Sequence, residues 1–144
     1  MRRRRLAAVA ARVRDDRGSV STELVLLTPL LILILLIAVD FGRLAGARLD
    51  ADEAAHQAAR AASLARSGPQ GNTEAQSAAT ASLNGAGSSC RNPHITALTG
   101  DFQPGSVVTV RVTCHVDPDT PGLPDHTIAA RAASVVDLYR GVRG

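Results

Sequence analysis

An uncharged apolar run, Leu24 to Val39, is the feature that most limits what this chain can fold into. It extends back to Val20 as a twenty-residue stretch in which only Glu23 is ionisable. A helix of that length rises about 30 Å, which matches the hydrocarbon core of a bilayer. Pro29 inside the run predicts a kink or a loosened turn. The run therefore predicts a membrane-spanning helix, with the lipid bilayer as its surroundings.

The charges that flank the run predict its orientation. Residues 1–18 carry seven arginines against two aspartates, a local charge of +5, whereas the whole chain carries +3. Because positively charged flanks stay on the cytoplasmic side, we expect a single-pass protein of the cell membrane with a cytoplasmic N-terminus and an extracytoplasmic C-terminal domain. The arginines lack interleaved aromatic residues, which argues against a nucleic-acid partner. A cleaved secretory signal is the rival interpretation, but residues 40–43 separate the apolar core from Ala45-Gly46-Ala47, which could imitate a small-residue cleavage site.

The residues after the run keep a helical pattern. No proline occurs from 42 to 66, and alanines recur one turn apart in two rows, at 47, 51, 55 and 59 and at 54, 58 and 62. This face packs closely, either against its own domain or against neighbouring copies. Gly42 and Gly46 form a G-x-x-x-G pair, which makes them candidates for a subunit contact. Residues 67–71 are expected to end the helix, and Asn72 to cap a short second one, Thr73 to Leu83.

The C-terminal part has the period-two pattern of strands. Ser106 to Val116 alternates valine or cysteine with polar residues, which predicts a half-buried strand. His94 to Leu98 is its expected partner. Residues 127–138 are ambiguous, because alanine favours helix while the β-branched residues favour a strand. We predict a third antiparallel strand there.

The two cysteines, Cys90 and Cys114, both lie on the predicted outer side. An oxidising compartment and a small core favour a disulfide between them. A metal site with His94, His115 and His126 is the alternative, although the spacing matches no standard zinc arrangement. No catalytic or phosphate-binding motif occurs, so we expect no enzyme activity, cofactor, metal or small-molecule substrate.

Three stretches together, Arg17 to Glu23, Leu27 to Pro29 and Val39 to Arg43, resemble the TadE-like family of pilus-assembly proteins. Its members look like pseudopilins of tight-adherence (Tad, or Flp-type) systems. The resemblance implies that a prepilin peptidase cuts between Gly18 and Ser19. It also implies that Glu23 pairs with the new N-terminal amine of a neighbouring subunit. The alternative for this carboxylate is a place at headgroup level, in contact with water.

The resulting prediction is a membrane-anchored, pilin-like α+β protein with a long N-terminal helix, a short second helix and about three antiparallel strands. We divide it into a leader (1–18), a transmembrane helix (19–41), an alanine-rich helical stalk (42–85) and a β-rich domain (86–144). The expected function is that of a minor pilin or pseudopilin in a Tad pilus or secretion system, in the membrane or on a surface pilus. Its expected partners are the prepilin peptidase, other pilin subunits and the assembly machinery. An uncut bitopic protein with an outer binding domain is the first alternative, and a secreted metal-binding protein or enzyme is the second.

Overall fold

The computed structural model describes residues 2–138, with side chains from Leu24 onward, so Gly18, Ser19 and Glu23 lie outside the residues whose side chains are described. The chain divides into two compact units, Met1–Val39 and Asp40–Gly144. The predicted α+β class is confirmed, with two helices and one three-stranded antiparallel sheet in the described part. The elements in chain order are α1 (Arg2–Leu64), α2 (Gly68–Gly85), β1 (Arg91–Leu98), β2 (Val107–Val116) and β3 (His126–Val135).

The start of α2 differs from the prediction. The helix begins at Gly68, ahead of the expected cap at Asn72, so the segment taken as a break is its first turn. Ser67 is the N-cap, and its hydroxyl accepts a hydrogen bond from the Gln70 amide at 3.4 Å. Pro69 occupies the first turn, where its missing N–H costs nothing because that group has no partner in the helix. Proline here starts a helix instead of ending one.

The three strands pair in the order β1-β2-β3, with β2 in the centre. The inward side of β2 is almost fully buried, as its period-two pattern predicted. In β3 the residues that alternate inward, Ile128, Ala130 and Ala132, are also buried. The predicted third strand is therefore confirmed. Its alanines form a strand because every second one packs inward beside β2, and this packing outweighs their intrinsic preference for helix.

A single core joins α1, α2 and the inward side of the sheet. The seven alanines of the two predicted rows are at most 1% exposed. Because alanine carries only a methyl group, the helix backbone can lie close to the valines of β2. At the crossing of α1 and α2, a Cβ added to Gly71 would lie 3.2 Å from the Ala62 carbonyl oxygen. Ser134 of β3 also donates a hydrogen bond to Ser63 of α1 at 3.0 Å. The alanine rows thus pack against their own domain.

Candidate functional site

The apolar run is exposed along nearly its whole length. Its large side chains from Leu24 to Val39, except Ile37, are 44–72% exposed, and α1 continues through Pro29. Thr28 carries the one hydroxyl group between Leu24 and Val39. It donates a hydrogen bond to the Leu24 carbonyl oxygen at 2.7 Å, so no hydroxyl proton is left without a partner in apolar surroundings. Monomeric soluble proteins rarely expose a contiguous apolar surface of this extent. The run is a candidate membrane span, long and apolar enough to cross a bilayer.

Polar contacts begin at the residue that follows the run. The Asp40 carboxylate accepts hydrogen bonds from the backbone amides of Asp119 and Thr120, at 3.0 and 3.1 Å. One turn further along α1, Arg43 forms an ion pair with the Asp119 carboxylate. The hydrogen bond and the charge of Asp119 raise the pKa of the Arg43 guanidinium. We call these four residues the juxtamembrane latch, because they hold the β2–β3 loop, residues 117–125, against the first turn of α1 after the apolar run.

The sequence did not reveal the latch. In the sequence, Asp40 and Arg43 are only the first charged residues after the apolar run. The residues that they contact are 76 to 80 positions away in the chain, and no spacing rule connects them. The available signal was weak: opposite charges three residues apart on one helix face, and two aspartates in a proline-rich loop. Only the return of β2 toward the start of the domain brings these groups together.

A narrow apolar pocket adjoins the latch. The apolar part of its lining comes from Phe41 and Leu44 on α1 and from Val116, Pro118 and Leu123 on β2 and the following loop. Phe41 is 65% exposed and Leu123 is 37% exposed, so the pocket opens into an apolar surface. One of the residues that form this surface, Phe41, is only two positions after Val39, the last residue of the apolar run.

The two predicted contact glycines face open space. A Cβ added to Gly42 or Gly46 would meet no heavy atom within 4 Å, apart from the neighbouring backbone of their own helix. The described part of the domain therefore does not require glycine at either position. Their proposed use, close approach of a second helix, stays a prediction.

The cysteines form a disulfide at the start of the sheet. Cys90 and Cys114 are bonded at an S–S distance of 2.06 Å, with their Cα atoms 5.4 Å apart. Cys114 lies on the buried side of β2, and Cys90 directly precedes β1. The β1–β2 register is irregular between Arg91 and His94, where Asn92 has a φ of 49° and the next residue is a proline. Because proline offers no N–H to the ladder, the disulfide holds the strand end where backbone pairing is interrupted.

The histidines that could have joined a metal site lie elsewhere. His94 and His115 are exposed on the outer side of the sheet, and the His115 ring Nδ1 is 3.2 Å from the Thr127 hydroxyl. Within the part of the chain whose side chains are described, no three metal-ligating residues lie close enough together to hold an ion.

The outer face of the sheet carries an unusual pair of like charges. Arg111 of β2 lies directly opposite Arg131 of β3, with Thr96 of β1 in the same row. Neither arginine forms an ion pair with any carboxylate among residues 24–138. Like charges directly opposite each other destabilise a sheet, so this row lowers stability in the isolated domain.

Comparison with known proteins gives a match to the N-terminal part of the chain. Residues 18–60 match the family model described as TadE-like protein, which confirms the resemblance seen in the sequence motifs. The match begins at the predicted end of the leader and runs through the apolar stretch into the alanine rows of α1. Neither the curated proteins nor the solved structures gave a match. The family match and the candidate span together support a membrane protein related to Tad pilus systems.

Proposed function

We propose that this chain is a minor pilin or pseudopilin of a Tad-type pilus assembly or secretion system. The apolar run anchors it, residues 1–18 stay in the cytoplasm, and the domain from Asp40 onward folds outside. A prepilin peptidase cuts between Gly18 and Ser19. The observation that carries this proposal is the family match, which starts at residue 18 and continues into an apolar helix whose side chains are exposed.

The chemistry of the cut explains why a carboxylate stands inside the apolar stretch. Cutting after Gly18 creates a positively charged amine on Ser19, and Glu23 lies four residues further along the helix. An ionised carboxylate in hydrocarbon is costly unless a cation neutralises it. The amine of a neighbouring processed subunit supplies that cation. Gly42 and Gly46, where an added Cβ would meet no heavy atom within 4 Å outside the neighbouring backbone of their own helix, let the helix of that neighbour approach closely.

The protein acts as an anchored subunit, and its outer domain presents surfaces to the assembly machinery and to other pilin subunits. The alanine rows of α1 are used inside the domain, so contacts between subunits fall to other surfaces. We propose that the apolar run and the pair Gly42 and Gly46 beside it form the contacts between subunits.

N-terminal mass spectrometry of the chain recovered from membranes tests the proposal. The full chain is expressed with and without a prepilin peptidase from a Tad system. We expect a mature chain that begins at Ser19 only when the peptidase is present. Gly18→Leu should keep the full-length mass, because the bulky side chain blocks the site, whereas the matched control Ser19→Ala should still be cut.

Two other results would each support a different function. An intact N-terminal head in the presence of an active peptidase would favour the uncut bitopic protein with an outer binding domain. A mature chain that starts near Leu49 would instead indicate release by signal peptidase and a secreted protein.

A further inference from the structure

The β2–β3 loop is tied to the point where the chain leaves the apolar run. Asp40 directly follows Val39, and its carboxylate is bonded to the amides of Asp119 and Thr120 at 3.0 and 3.1 Å. The Leu123 amide in turn donates to the Thr120 carbonyl at 3.3 Å. These links tie the loop to Asp40, the residue that follows the apolar run in the chain. The polar interfacial layer of a bilayer is several ångströms deep on each side, so residues that directly follow a membrane span lie in or beside it.

The chemistry of this surface suits the boundary between lipid and water. Phe41 and Leu123 are exposed and apolar, and Pro121 and Pro124 in the same loop are exposed as well. Prolines reduce the number of backbone N–H groups that would need partners on leaving water.

The charges in the loop do not oppose such a contact. Asp119 is paired with Arg43, and Asp117 lies 3.6 Å from the Arg91 guanidinium. Asp125 is exposed at the end of the loop, where a carboxylate can stay hydrated at headgroup level. The loop thus presents apolar side chains while arginines face two of its three carboxylates.

We infer that the β2–β3 loop and Phe41 form a second membrane contact, in which Leu123 lies in the interfacial layer of the phospholipid bilayer and holds the domain close to the membrane. The inference rests on the proposed anchoring by the apolar run. It adds a specific lipid-facing surface to a domain that the anchor alone would leave free to move away. The latch is the device that positions this surface.

Tryptophan fluorescence tests the inference directly, because the chain contains no tryptophan. Three single-tryptophan variants of the full chain are placed in phosphatidylcholine nanodiscs, with and without lipids brominated near the headgroup end of the acyl chain. Leu123→Trp reports on the loop. Leu31→Trp, in the apolar run and 60% exposed, is the positive control, and Leu98→Trp, on β1 and 66% exposed, is the water-facing control.

We expect bromination to remove a large part of the emission of Leu123→Trp and Leu31→Trp and to leave Leu98→Trp unchanged. If Leu31→Trp is quenched and Leu123→Trp is not, the inferred contact is wrong while the anchor stands. If Leu31→Trp is not quenched either, the proposed anchoring fails too. Emission from Leu123→Trp that is insensitive to bromination but shifts as more copies share one bilayer would mean that a neighbouring subunit covers the loop, which also overturns the inference.

A second variant in the same loop keeps the experiment informative if Leu123→Trp does not fold. Pro121→Trp places the reporter in the same loop at an exposed position, where little packing is lost. Resistance of each variant to thiol alkylation shows that the Cys90–Cys114 disulfide has formed, and a thermal unfolding midpoint close to that of the native chain shows that the domain is folded. Where Leu123→Trp folds, its quenching decides the inference as stated above; where it does not fold, quenching of Pro121→Trp in a folded chain supports the contact and the absence of quenching contradicts it.

Discussion

Loss of the Cys90–Cys114 disulfide should destabilise the domain that begins at Asp40 by several kilocalories per mole. The bonded residues are 24 positions apart, so the bond closes a loop of about 25 residues. In the chain-entropy treatment such a loop contributes about 3.5 kcal/mol at 25 °C, because the cross-link restricts the unfolded chain. For a domain of roughly 100 residues this corresponds to a fall in Tm of about 15–25 °C.

The effect of the disulfide bond on stability can be measured separately from the effect of the two sulfur atoms. Reduction of the native chain removes the bond and keeps both thiols, whereas the double variant Cys90→Ala/Cys114→Ala removes the sulfur atoms as well. Because Cys114 is fully buried and Cys90 is only half-buried, the double variant should be somewhat less stable than the reduced chain. Thermal unfolding of the full chain in detergent, followed by circular dichroism, measures both. The alanine variant treated with reductant is the matched control, and its Tm should not move.

A fall in the Tm of the native chain of only a few degrees on full reduction would mean that the cross-link does not restrict the unfolded chain as calculated. Two thiols open to alkylation in native protein from an oxidising compartment would contradict the bond itself. Slower migration of the reduced chain in denaturing gels, relative to the unreduced one, gives an independent check.

Two further predictions concern the core and the outer face. Ala79→Leu, at a fully buried position of α2, should lower stability by about 1–3 kcal/mol through overpacking, while Ala81→Leu on the exposed side of the same helix should change it little; denaturant unfolding of both compares them. Arg131→Glu should raise stability by roughly 0.5–1 kcal/mol because it replaces a like-charge pair with an ion pair to Arg111. The doubly reversed chain, with Arg111→Glu added, restores like charges and should return close to the native value; a gain that persists there would show that the pair is not the cause.

The features that the sequence predicted well are those with a local period. The alternation in β2 specifies both the strand and its buried side, because side chains on a strand point to opposite faces in turn. The apolar run is specified by length alone. The alanine rows specify a closely packed helix face, but they did not distinguish a partner within the domain from one outside it, since the same small residues suit either. The valines of β2 decide this in the folded chain.

The features that were missed depend on local context or on distant contacts. Proline both ends and starts helices, and only the cap at Ser67 shows that Pro69 starts α2. The latch joins residues about 80 positions apart, so its existence depends on where the sheet returns the chain. The disulfide lies between these cases: compartment and spacing favoured it, and the interrupted ladder near Asn92 shows why the fold has a use for it.

The composition of the core gives a reason for this domain to use a covalent bond at the start of β1 and a polar latch at the β2–β3 loop. Its largest fully buried side chains are valines and a cysteine, and most of the rest of the core is alanine. Since the hydrophobic contribution follows the apolar area buried, each of these residues stabilises the fold less than a leucine or phenylalanine would. Backbone pairing must then carry more of the structure, and it is interrupted at the start of β1 and absent in the β2–β3 loop. The disulfide holds the first of these segments in place, and the Asp40 carboxylate holds the second through the amides of Asp119 and Thr120.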